Sequence, residues 1–147
     1  FMPDCYESGT PNTVGAAGLD AGVGFVTARG IENIRAHEER LTGLFLAGVE
    51  SIGGVTVYGP RDPSRRMPVV SIGLCGPDPA AVSLELDERF GIMTRPGLHC
   101  APAAHKTIGT YPTGTVRFSF GFFNTEEQVG RALAAIRELA DRGRQAR

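Results

Sequence analysis

Apolar positions repeat with helical spacing between Gly30 and Gly53. Ile31, Ile34, Leu41, Leu44, Phe45, Val49 and Ile52 form one stripe, and Glu32, Arg35, Glu38, Glu39 and Arg40 fall mostly opposite. Gly53 and Gly54 end this helix. Upstream, about Thr13 to Arg29 is rich in Ala, Gly and Val, whose small side chains predict a closely packed, buried helix. The first dozen residues, with Pro3, Gly9, Pro11 and Asn12, read as a loop. Val55–Tyr58 and Val69–Leu74 read as strands, the first closed by Gly59-Pro60. Asp78 followed by Pro79 caps a helix to about Phe90, with Val82, Leu86 and Phe90 on its apolar side. Ile92 to Arg95 reads as a short extended piece broken by Pro96-Gly97, and 98–113 as a loop with one short helical turn. Thr115–Phe120 alternates as a strand. Thr125 and Gln128 have the spacing of a capping box for a last helix with Val129, Leu133, Ile136 and Leu139 inward and a fraying basic tail after Arg142.

The order helix, helix, strand, strand, helix, short strand, strand, helix predicts an α+β fold: a short, mainly antiparallel sheet with helices packed on one face. The Ala/Gly-rich first helix stands apart from that layer. At 147 residues, with 41% hydrophobic and 21% charged positions, the chain is one domain's worth of globular sequence. No apolar run is long enough for a membrane span. The opening FMPDCYESGT has no secretory-signal pattern and no initiator Met, so the chain is expected to begin inside a longer protein. A net charge of −1 argues against nucleic acid or an anionic membrane as the main partner. An odd count of 3 cysteines, without metal-type spacing, predicts free thiols in a reducing, cytoplasmic compartment.

Chemistry concentrates in Arg95-Pro96-Gly97-Leu98-His99-Cys100-Ala101-Pro102, followed by His105 and Lys106. A cysteine in a Gly/Pro-rich loop beside Arg95 and His99 suits a nucleophilic thiolate. The same residues also fit a structural cysteine beside a satisfied histidine, or a metal site from His99, Cys100 and His105. Arg117, within an apolar alternating strand, could grip a carboxylate through its planar fork or simply face outward. Glu7-Ser8-Gly9-Thr10-Pro11-Asn12 precedes a helix and fits either an anion site or an ordinary cap. Cys5 and Cys75 read as structural thiols, with Cys75 buried at a strand end.

Three segments, in order, resemble the carboxyl-terminal part of class V aminotransferase-group pyridoxal-phosphate enzymes, nearest the cysteine desulfurases. They are ESGTPN, RPGLHCAP and GTVRFSFGFFNTEEQV, and the resemblance spans essentially the whole chain. It implies a transferase-type parent that converts L-cysteine to L-alanine and passes sulfur to a cysteine persulfide. Within it, Cys100 is implied as sulfur acceptor and Arg117 and Arg95 as substrate-binding residues. Gly9 and Thr10 are implied to reach the cofactor phosphate across a homodimer interface. Residues 1–30 would end the large cofactor domain and residues 31–147 would form the small domain.

The cofactor needs a lysine for its internal Schiff base, and the one lysine here is Lys106. Ala104-His105-Lys106-Thr107-Ile108-Gly109 looks like the family's cofactor-lysine motif but follows the cysteine loop instead of preceding ESGTPN. The resemblance therefore implies that the lysine-bearing domain is absent from this chain and that the fragment alone is inactive. Leu98 and Ser8 depart from the usual family residues, which keeps a selenocysteine lyase, a sulfoxide lyase or a plain aminotransferase open. A non-catalytic module for dimerisation or sulfur-carrier binding, and a cofactor-free thiol enzyme using Cys100 and His99, are the rival classes. A sulfur-acceptor protein is an expected partner of the parent, and no metal is expected.

Overall fold

The computed structural model describes residues 2, 4–6 and 9–145. By its internal contacts the chain falls into two compact units, Phe1–Arg35 and Ala36–Arg147.

The first unit holds a 3-10 turn, Asp4–Tyr6, and helix α1, Thr13–Arg29. Asn12 caps α1 by accepting a hydrogen bond from the Gly15 N–H at 2.9 Å. Gly30, at φ +80°, ends it. The buried helix expected here is an exposed one: no α1 residue is buried, and Val14, Leu19 and Val23 are well exposed. Small apolar residues surround this helix on all sides instead of forming one stripe, so it has no single face to turn inward. Helix α2, Ile31–Glu50, begins in this unit and continues into the second.

The second unit is built on a four-stranded, wholly antiparallel sheet of order β1-β2-β4-β3. The strands are β1, Val55–Tyr58; β2, Val69–Leu74; β3, Arg95–Gly97; and β4, Thr115–Ser119. Register places Val57 opposite Ile72, Ile72 opposite Val116, and Val70 opposite Phe118. These side chains share one face, because successive strand residues alternate. Against that face pack α2, α3 (Pro79–Phe90) and α5 (Glu126–Gln145), through Leu41, Phe45, Val49, Leu86, Ile136 and Leu139. The Phe45 ring lies 4.9 Å from Phe118 and 5.1 Å from Phe120, centroid to centroid. The expected α+β layer with helices on one face is therefore present.

Several local details depart from the sequence pattern. Ile31 and Leu44, on the expected α2 stripe, are exposed. The extended piece expected at Ile92–Arg95 is a strand displaced to Arg95–Gly97, so Pro96-Gly97 lies inside it. Proline is tolerated because β3 is an edge strand, where a missing N–H breaks no second ladder. Cys75 is exposed, because β2 ends at Leu74 and the chain has already turned away from the core. The helix expected to fray after Arg142 continues to Gln145. The capping box holds: the Gln128 N–H donates to Thr125 Oγ1 and the Thr125 N–H donates to Gln128 Oε1, each at 3.2 Å. Among the described residues no helix is long and apolar enough to cross a membrane.

Candidate active site

The sheet face turned from the helices carries polar residues at matched registers. Tyr58 pairs with Ser71, Ser71 with Arg117, and Arg117 with Arg95, a row across all four strands. Arg117 is half-buried, and its Nε is buried with no hydrogen-bond partner. On the same face of β4, Thr115 Oγ1 is also buried and unpartnered. Among the described residues, neither Arg95 nor Arg117 makes an ion pair. Two unpaired guanidiniums opposite each other repel, and a buried donor without a partner is costly. A carboxylate laid between them relieves both penalties through two parallel N–H···O bonds.

The chain leaves β3 through Gly97, at φ +95°, and enters a tight turn. His99 and Cys100 both take the left-handed conformation, at φ +51° and +61°. Such consecutive non-glycine residues are strained and need outside support. The support is visible: the Ala101 N–H donates to the Leu98 carbonyl at 2.8 Å, and His99 Nε2 donates to the Arg95 carbonyl at 2.8 Å. Cys100 is left exposed at the turn, with helix α4, Pro102–Thr107, directly after it. Its thiol is free, as are those of Cys5 and Cys75, and all three are exposed, including Cys75, for which the strand-end position suggested burial.

The remaining candidates are placed as follows. Gly9, at φ +97°, and exposed Thr10 lie in the first unit, just ahead of α1. Glu7 and Ser8 of the same segment lie outside the described residues. Lys106 is exposed on α4, its Nζ 5.0 Å from the centroid of the Tyr111 ring. Among the described residues no group of His, Cys, Asp or Glu could hold a metal ion, so His99, Cys100 and His105 do not assemble the metal site one reading allowed. Sequence reasoning missed the partner of His105. This buried side chain has Nδ1 2.6 Å from Thr110 Oγ1, and its only sequence signal is a histidine among small apolar residues on a short helix.

An antiparallel sheet backed by helices, with paired outward arginines and an exposed thiol on the adjoining turn, is the α+β small-domain class of architecture. The chain belongs to the aminotransferase class-V family, whose model matches residues 2–132. Relatives include a probable cysteine desulfurase of Methanothermobacter thermautotrophicus, 36% identical over 143 residues, covering 97% of this chain and 35% of that protein. A cysteine desulfurase of Escherichia coli O8 is 34% identical over 134 residues, covering 91% and 32%. The apo structure of a cysteine desulfurase from Thermococcus onnurineus NA1 superposes with a TM-score of 0.87 at 37% identity, over 95% of this chain and 34% of that one. The chain thus spans about a third of the length of the relatives it matches (35% of the first). Enzymes of this family are in general pyridoxal-phosphate-dependent.

Within the second unit, the buried and unpartnered Arg117 Nε is a donor of the kind an anionic carboxylate satisfies.

Proposed function

We propose that this chain is the carboxyl-terminal part of a pyridoxal-phosphate-dependent cysteine desulfurase that converts L-cysteine to L-alanine. The observation that carries the reading is the exposed Cys100 thiol on a strained turn leading directly from Arg95, which faces Arg117. Residues 1–30 end the large cofactor domain and residues 31–147 form the small domain, with the cofactor lysine on the part of the parent that this chain does not include. The parent works as a cytoplasmic homodimer, and a sulfur-acceptor protein takes the sulfur onward.

Bound cofactor supplies the electron sink that labilises bonds near the substrate's α-carbon. Arg117 holds the substrate carboxylate, and Arg95 lends a second cationic fork beside it. Gly9 and Thr10 offer a backbone N–H and a hydroxyl to the cofactor phosphate. Cys100 attacks the substrate sulfur as a thiolate. An S–S bond forms as the C–S bond breaks, the electron pair stays with carbon, and that carbon gains a proton. L-cysteine and the Cys100 thiol thus become L-alanine and the Cys100 persulfide.

The test is the full-length protein supplied with L-cysteine. Alanine and a persulfide on the Cys100 peptide are expected, and Cys100→Ala abolishes sulfide release. Persulfide chemistry that survives Cys100→Ala overturns the assigned role. Amino-group transfer to a keto acid, with no sulfur released, points instead to an aminotransferase.

A further inference from the structure

We propose that His105 is a positioning residue for Cys100, acting through His99; this rests on the reading of Cys100 as the sulfur acceptor. His105 is only 5% exposed, an unusual place for a titratable ring on a helix of 6 residues. Its backbone ties the loop down at both ends: the N–H donates to the Ala101 carbonyl at 3.1 Å, and the carbonyl accepts from Thr110 at 2.9 Å and Tyr111 at 3.2 Å. Its Nδ1 meets Thr110 Oγ1 at 2.6 Å, and Thr110 is in turn fixed by the Gly114 N–H, which donates to its carbonyl at 2.7 Å. The ring is therefore anchored to the segment that enters β4.

Against that anchored ring lies His99, centroids 5.8 Å apart and planes tilted by 51°. A carbonyl can only accept, so the 2.8 Å contact with the Arg95 carbonyl requires the His99 proton on Nε2. In neutral His99 this leaves Nδ1 as the bare acceptor. The imidazole is thus held in one orientation and one tautomer, by a hydrogen bond at one end and a packed ring at its side. That side chain in turn braces the two left-handed residues that present Cys100. The route runs from Thr110 to His105, to His99, to the Cys100 turn. Without the His105 ring the strained pair can relax, and the thiol loses its single presentation.

The experiment compares wild-type full-length protein with His105→Ala and with His105→Asn, whose amide can still reach Thr110 but has no ring. Two readouts are taken. The first is the alkylation rate of Cys100 relative to Cys75 with iodoacetamide in cofactor-free protein, read on the separate peptides. The second is persulfide formation on Cys100 with L-cysteine. Both variants are expected to lower the alkylation ratio severalfold and persulfide turnover about tenfold, with KM for L-cysteine unchanged. His105→Asn is expected to do so while the chain still unfolds cooperatively and the alkylation rate of Cys75 is unchanged, which a general loss of structure does not allow. An unchanged or raised alkylation ratio in folded His105→Asn overturns the proposal. A wild type that forms no Cys100 persulfide overturns the desulfurase reading itself, and with it the role given to His105.

Discussion

Arg95 and Arg117 stand directly opposite each other on β3 and β4, on the sheet face turned from the core, with no acidic partner among the described residues. Like charges at opposed positions cost stability. Arg117→Leu is therefore expected to stabilise this chain by about 0.5 kcal/mol in a denaturant titration. In the full-length protein the same change weakens binding of a carboxylate substrate by about 2 kcal/mol, roughly thirtyfold. Arg117→Lys does not restore it, because an ammonium lacks the planar fork. A destabilised Arg117→Leu chain, or unchanged substrate binding, removes the case for a carboxylate site here.

Gly114 holds β4 against β3 at a distance no side chain fits. A Cβ there would lie 2.2 Å from the carbonyl carbon and oxygen of Gly97, and its φ is +83°. Gly114→Ala is expected to cost at least about 2 kcal/mol, adding backbone conflict to the left-handed penalty. The separation of β3 from β4 that follows also pulls Arg95 from Arg117 and slackens the Cys100 turn. Thermal unfolding and Cys100 alkylation are then expected to change together. A variant with unaltered melting contradicts the close approach.

The polar ends of α5 give a separate measure of the fold. Thr125 and Gln128 exchange reciprocal bonds at its start, and the neighbouring Asn124 Oδ1 accepts from the Gly121 N–H at 2.8 Å. Thr125→Ala is expected to lower stability by about 1 kcal/mol, and Thr125→Ser to leave it nearly intact. Urea midpoints of the two variants decide this. Equal losses in both mean that the hydroxyl is not the capping group.

What could be read in advance followed the strength of local signals. β1, β2, α3 and α5 each carry a clear apolar period or a cap, and each lies where its residues suggest. β3 carries neither: Arg95-Pro96-Gly97 has no strand preference, and it pairs because Gly114 and Gly97 let the backbones meet. The exposure of α1 was hidden for a similar reason, since Ala and Gly suit close packing whether or not a neighbour is present. For the candidate site, the motifs picked out Cys100, Arg95 and Arg117, but the opposition of Arg95 and Arg117 in register is a property of the sheet. The His105–Thr110 bond could not be read, because it depends on how α4 folds back toward β4.

The charged edge between α3 and α5 makes stability depend on pH. Glu85 Oε2 accepts from Arg89 Nη1 at 3.0 Å and from Arg142 Nη1 at 2.6 Å, and Arg89 also pairs with Glu138. The Arg89 guanidinium, with Arg142 beside it, holds the Glu85 carboxyl below its ordinary value of 4.5. A carboxylate whose pKa is lower in the folded state stabilises the fold fully above its unfolded value. That contribution is lost as pH falls through the lower, folded value. With the Glu85 side chain 38% exposed, solvent screens the pair, and the contribution is about 0.5 kcal/mol. Glu85→Gln is expected to lower the denaturant midpoint at pH 7, and the gap to wild type closes as the pH is taken below 4.5, where wild-type Glu85 becomes protonated. High salt at pH 7 shrinks the same gap. A gap that stays constant from pH 7 to acid shows that the arginines do not act on Glu85 through its charge.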